Sequence, residues 1–414
     1  MDMITKGNYY FYHTKRYKTN ELIFYFAYII YLWVSMLGTC YLGDVLGITS
    51  DIINTTKHIV ALLLACSILI NAKFSRKLAF IIIGIVVTSV LVYWNMGAFN
   101  PILAILFLLG ARRCNPRRIC KVHFYCILCT ITIIFLSAIL GFVDNYVFYR
   151  DDAARYCMGF RNATWFGYVF YLFVDYCWIK LRYENSKLKR SEGIIIIILA
   201  ICAYILSKSR LELISTFILL IAINYSDKIM KHKAIKWILV FSFAGMVLLS
   251  FVTTYMYMIG TPIANSLDRL LDHRLQLNSV GYSRYGITLF GEFVTMQGIS
   301  QTTAENAWSY FYIDNFYVSY IIQYGIIWMT LVLLFLTLIN VKLAKENSIT
   351  LIFMALVALQ GFIIPTMMDF ISSCTILFAF NEMWILRNRT KHISITMNCA
   401  LLESKGDHLV VHIS

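Results

Sequence analysis

The sequence predicts an all-α polytopic integral membrane protein of about 12 transmembrane helices, with a large extracytoplasmic loop carrying short amphipathic helices. Three observations carry that reading. Of the 414 residues, 60% are hydrophobic and 14% charged, with a mean hydropathy of +0.70; soluble domains run nearer half apolar and a quarter charged. Runs such as AFIIIGIVVTSVLVYW (79–94) and GIIIIILAICAYIL (193–206) are apolar on every face, as helices are when lipid or other helices surround them. The chain has only four prolines and its apolar runs are helical in length, which argues against a transmembrane β-barrel built of alternating strands.

Taken in order, the N-terminal MDMITKGNYYFYHTKRYK is too polar and aromatic for a cleaved leader, so the first apolar segment, 22–42, is expected to stay as a span. Spans at 58–72 and 78–94 flank a basic loop, and 98–110 and 122–142 flank an arginine-rich one. The sixth, 162–179, leads through basic residues to 193–207, which a short polar turn joins to 211–224. Span 236–257 precedes the longest polar stretch, 258–315, and 316–340, 349–364 and 371–386 complete the set, leaving 387–414 as a cytoplasmic tail. Several are shorter than the roughly 20 residues of a straight crossing, so they borrow flanking residues or thin the bilayer. No soluble domain or tandem repeat interrupts them, and 1–414 reads as a single membrane domain.

The net charge of +14 is a topology signal rather than a nucleic-acid footprint. With the N-terminus placed in the cytoplasm, 27 of the 36 Lys and Arg residues fall on that side, which by the positive-inside rule puts both termini there and 258–315 outside. The eleven cysteines lie mostly in apolar segments or basic loops. Cys126 and Cys129 have C-x-x-C spacing inside an apolar helix, where packing is the expected role, and no disulfide framework is implied. There is no P-loop, no G-x-G-x-x-G, no D-x-D pair and no H-E-x-x-H. No cofactor or metal is therefore expected, and an anionic substrate arriving from the bilayer fits better than a nucleotide.

Seven of the nine outside cations are arginine, against ten of the 27 inside. Arginine suits planar, bidentate recognition of phosphate or carboxylate, although it also pairs with acids or snorkels to headgroups. Arg210 lies in the polar turn of LSKSRLEL, with Glu212 as a candidate partner for it or for Lys208. ANSLDRLLDHRLQL (264–277) predicts one short amphipathic helix, with Leu267, Leu270, Leu271 and Leu275 at helical spacing and Asp268, Asp272, His273 and Arg274 on other faces. Arg284 and Glu292 follow in a glycine-punctuated stretch. Asp314-Asn315 stands at the lip of the tenth span, where either residue makes a good helix N-cap.

These residues resemble the Wzy-type polysaccharide polymerases and the related O-antigen ligases. The resemblance rests on S-R-x-x-L at Ser209-Arg210-Leu211-Glu212-Leu213, on the arginine-bearing loop with Arg274 and Arg284, and on GFRNATWFGYVF with Arg161 and Asn162. It rests also on the ligases' His-Asn, nine residues, then Gly; here Asp314 replaces the histidine, before Asn315, nine residues and Gly325. That replacement favours polymerase over ligase. The resemblance implies a metal-independent membrane glycosyltransferase of the bacterial plasma membrane. Such an enzyme joins undecaprenyl-pyrophosphate-linked oligosaccharide repeat units into capsule or O-antigen on the outer face, with a flippase and a chain-length regulator as candidate partners. An O-antigen-type ligase and a polysaccharide flippase are the alternatives.

In that chemistry fixed cations meet the leaving pyrophosphate, for which Arg210, Arg274 and Arg284 are the candidates, with Arg155 and Arg161 in reserve. A base must take the acceptor hydroxyl's proton, with Asp314 first and His273 and Glu292 as alternatives, and Asn315 orienting the sugar or Asp314.

Overall fold

The computed structural model describes residues 19–70, 76–112, 114–150, 153–184, 186–298 and 310–385. The tails expected in the cytoplasm, 387–414 among them, lie outside the described residues, as does part of the 258–315 stretch. The protein is mostly helical, at 74%, and each predicted apolar segment coincides with a helix or helix pair. The first helices are α1 (Thr19–Leu37), the short α2 (Tyr41–Val45), α3 (Ser50–Leu69), α4 (Arg76–Met96), α5 (Asn100–Ala111) and α6 (Pro116–Ile139). A small antiparallel hairpin, β1 (Val147–Arg150) and β2 (Ala153–Tyr156), follows and was not expected from an all-α reading. Then come α7 (Phe166–Arg182), α8 (Arg190–Ser207), α9 (Arg210–Asn224), α10 (Ser226–Lys231), α11 (Lys233–Val240) and α12 (Ser242–Met258). The polar stretch forms α13 (Pro262–Leu270) and α14 (Arg274–Tyr285), after which α15 (Phe316–Lys345), α16 (Thr350–Gln360) and α17 (Thr375–Ile385) close the chain.

Six of these helices, α1, α3, α4, α6, α8 and α15, are long and apolar enough to cross a membrane, and α11 with α12, bent by 62°, makes a seventh if the pair is one span. That is fewer than the twelve crossings the sequence predicts; α5, α16 and α17 are apolar but shorter. The surface confirms the solvent. Helix α4 presents Phe80, Ile81, Ile83, Val87 and Trp94 outward, and α8 presents Ile194, Ile195, Ile198 and Ile205. Each such side chain would cost on the order of 2 kcal/mol against water, and a continuous band of them is stable only in hydrocarbon.

Side chains knit the two ends of the bundle. At the lysine-rich end, buried Glu382 accepts hydrogen bonds from Arg182 Nε at 2.9 Å, Ser348 Oγ at 2.7 Å and Thr350 Oγ1 at 2.6 Å. Trp178 stacks on Phe378 with centroids 3.8 Å apart and donates to Thr350 Oγ1. At the opposite end, α1 holds the α16–α17 connection: the Tyr28 and Tyr31 hydroxyls donate to the main-chain oxygens of Phe370 and Asp369.

Two features of that end depart from simple helices. The single helix predicted over 264–277 is two, because Asp272 and His273 are left-handed (φ 58° and 62°) and turn the chain between α13 and α14. Helix α15 breaks at Gly325, whose φ of 83° and ψ of 166° are open essentially to glycine alone. The extended chain at 288–292 fits into the break: Ile326 and Ile327 N–H donate to Thr288 and Leu289 oxygens, and Glu292 N–H donates to Ile322 O. The loop therefore accepts from the two amides that follow the break, which would otherwise lose their helical partners.

Candidate functional site

The site is assembled from four separate pieces of chain. Helix α8 ends on Lys208, left-handed at φ 54°, so the polar turn closes tightly and α9 starts at Arg210. This places Glu212 in the first turn of α9, buried, with Arg274, Arg155 and Asp314 as its electrostatic neighbours. Arg155 comes from β2 and donates through Nε to Ser207 O at 2.9 Å. Arg274 opens α14 and reaches in two directions, with Nη1 to Ile363 O at 2.8 Å and Nε to Asp314 Oδ2 at 3.3 Å.

Asp314 makes that pairing while its neighbour does the capping. Asn315 Oδ1 accepts from Tyr317 and Val318 N–H at 2.9 and 3.1 Å, and Asn315 Nδ2 donates to Ser250 Oγ at 3.0 Å. Phe316 N–H is taken by Gly361 O, so the first amides of α15 are satisfied without Asp314. Two guanidiniums and two carboxylates thus share one partly buried locus at the start of α15.

A second group continues from it. Tyr312 lies within electrostatic reach of both Asp314 and Asp369, and burial together with those two carboxylates pushes its hydroxyl pKa up. Asp369, in the α16–α17 connection, lines a narrow crevice with Tyr31 and Asn100. Burial pushes its carboxyl up to about 6, with Lys57 pulling the other way. Asn100 accepts from Lys57 Nζ at 3.2 Å, and its side chain hydrogen-bonds with that of Tyr324.

Of the residues singled out in the sequence, Arg155, Arg274 and Asp314 come together, with Asn315 directly behind them. The others lie apart. Arg161 pairs with Asp44 at 2.7 Å on an exposed surface. His273 Nδ1 bonds to Asp268 Oδ2 at 3.0 Å, while Asp268 Oδ1 accepts from Gln276 N–H. The Arg284 guanidinium stands over the Phe311 ring, 5.1 Å from its centroid. Arg210 and Glu292 are exposed. Glu212 enters the site with partners other than those the sequence suggested, and Asp369 was not singled out at all. Its signal was its isolation: it is the one acid in the stretch between Glu346 and Glu382, and ionisable residues among apolar spans are functional candidates by default.

One further polar group sits in the core. Cys120, Asp175 and Cys374 place their ligand atoms within 4.8 Å of one another. Asp175 is already engaged, with one oxygen on His123 Nδ1 and the other accepting the Cys374 thiol at 3.4 Å, and His123 Nε2 lies 3.1 Å from Ile371 O. The arrangement is a hydrogen-bonded network, and Cys126 lies within electrostatic reach of its His123.

Compared with protein-family models, curated proteins and solved structures, the chain finds no match in any of the three.

Proposed function

We propose that this chain polymerises undecaprenyl-pyrophosphate-linked oligosaccharide repeat units into a surface polysaccharide. It does so at the outer face of a bacterial plasma membrane, with both termini in the cytoplasm and about twelve membrane-crossing or re-entrant helices. The observation that carries the reading is the meeting of Arg155 and Arg274 with Glu212 and Asp314 at the end of the bundle away from the lysine-rich loops. The sequence resemblance supplies the reaction class.

In the transfer, the acceptor hydroxyl attacks the anomeric carbon of the growing chain and the bond to the lipid pyrophosphate breaks. Negative charge then grows on the leaving pyrophosphate, and guanidiniums fixed in a partly dry site stabilise it more than water would. Arg274 is held by Ile363 O and Asp314, and Arg155 by Ser207 O, so neither needs to be reoriented during the reaction. Glu212 and Asp314 lie beside the two arginines, and an incoming diphosphate takes over the Arg274 donor that Asp314 now holds.

The test is the surface-glycan ladder of a strain deleted for this chain and complemented with wild type, Arg274→Ala, Arg274→Lys or Arg155→Ala at matched membrane levels. Wild type should restore long ladders. The alanine variants should stop at single repeat units, and Arg274→Lys, which keeps charge but loses the planar fork, should give short chains. A deletion that leaves chain length unchanged would remove the polymerase reading. Long unligated polymer in the deletion would point to a ligase.

A further inference from the structure

We infer that the crevice at Asp369 receives the acceptor sugar and that the Asp369 carboxylate takes the proton from its attacking hydroxyl. This rests on the polymerase reading and deepens it. Asp314, expected from sequence to be the base, already accepts from Arg274 at 3.3 Å. Asp369 differs: among the described residues no side chain is seen donating to its carboxyl, and the Tyr31 hydroxyl bonds its main-chain oxygen instead.

The surroundings suit a sugar. Tyr31 from α1, Tyr168 from α7, Tyr312, and Tyr320 and Tyr324 from α15 all lie within electrostatic reach of Asp369. Lys57 from α3 is the cation that faces it. Tyrosines present an apolar ring to the carbon face of a sugar and a hydroxyl to its edge, and a few placed polar groups such as Asn100 fix orientation. Tyr31, Asn100 and Asp369 share the crevice lining with Leu103, Phe107 and Met368, and it is closed as it stands, so these side chains must move apart for a sugar ring to enter. A carboxyl raised to about 6 is ionised yet still basic at neutral pH, the condition for an effective general base.

Tyr312 lies within electrostatic reach of both Asp314 and Asp369, so the two halves of the reaction are near one another. The acceptor oxygen gives its proton to Asp369 and its electron pair to the anomeric carbon. The bond to pyrophosphate breaks, and its electrons leave with the phosphate held at Arg155 and Arg274. Asp369 then returns the proton to the medium.

The experiment uses the same complemented strain, with chain-extension rate measured as a function of the pH of the medium for wild type, Asp369→Asn and Asp369→Glu. Wild-type extension should fall as pH drops through about 6, and Asp369→Asn should lose about 100-fold or more in rate at normal membrane levels. Asp369→Glu should keep part of the activity with a displaced acid limb. Should Asp369→Asn not reach the membrane, the glutamate variant decides: a rate and pH profile identical to wild type overturns the assignment. Wild-type ladders from Asp369→Asn would overturn it while leaving the polymerase reading intact. Failure of the wild-type chain to affect ladder length would remove that reading and this inference together.

Discussion

The break in α15 can be tested with one methyl group. In Gly325→Ala, the new Cβ would lie 2.4 Å from both Gly291 N and Leu289 O, a separation that real Cβ atoms do not tolerate. The backbone angles of φ 83° and ψ 166° add about 1–3 kcal/mol of strain for any residue with a side chain. Relief requires the 288–292 segment to move off, which opens the bonds from Ile326 N–H to Thr288 O (3.0 Å) and from Ile327 N–H to Leu289 O (3.2 Å). Each buried amide left unmet costs about 1–3 kcal/mol. The total, on the order of 5 kcal/mol, is a large share of the ~5–15 kcal/mol by which proteins are usually stable. Thermal unfolding of the purified protein in detergent, followed by tryptophan fluorescence, should show a midpoint lowered by roughly 5–10 °C or a failure to accumulate. Gly260→Ala is the control, since Gly260 also has a positive φ (75°) but open space around it, and it should cost only about 1–2 kcal/mol. Equal midpoints for the two variants would refute the packing of the loop into the break.

Other outcomes follow from the same contacts. Asn315→Ala removes both the cap and the bond to Ser250 and should destabilise by about 2–3 kcal/mol, with Asn315→Ser, which keeps a capping oxygen, falling between it and wild type in the same melt. Glu382→Ala removes the buried acceptor of Arg182 Nε, Ser348 Oγ and Thr350 Oγ1 and should cost about 3–5 kcal/mol, read as loss of folded protein in gel filtration. Because folding raises the Asp369 pKa from 3.8 to about 6, the folded state binds that proton more tightly than the unfolded chain. Its contribution is fully present below pH 4 and is lost as pH rises through 6, amounting to no more than about 2–3 kcal/mol with solvent screening counted. Melts between pH 4.5 and 7.5 should therefore show wild type losing a component of stability that Asp369→Asn lacks.

Much of the helical layout was legible because apolar length and basic loops are local signals. The turn at Ser207–Arg210 read correctly as polar chain between two apolar runs. What failed to show were properties fixed by distant chain. Asp and Asn are nearly equal as N-caps, so nothing local told that Asn315 would cap and Asp314 would face Arg274, 40 positions earlier in the numbering. The left-handed pair Asp272-His273 split the predicted helix without a glycine or proline to mark it. The role of Gly325 depends on Gly291 and Leu289 meeting it. Arg284 and Arg161 carried the right charge for an anion site, but an aromatic ring and Asp44 hold them elsewhere. Glu212 and Asp369 were overlooked as a pair of site acids because their partners come from other helices.

The two tyrosines of α1 that bond the chain at Asp369 and Phe370 span 338 and 342 positions of sequence. Helix α1 leaves the ribosome some 338 to 342 positions ahead of the residues its tyrosines bond. Until they arrive, the Tyr28 and Tyr31 hydroxyls have no such acceptor. The floor of the Asp369 crevice is therefore a closing seam of biosynthesis, formed only once residues 369 and 370 have been added. A truncated product ending before residue 369 inserts its early helices yet has no crevice, so incomplete chains are left without the floor on which the acceptor sugar would rest.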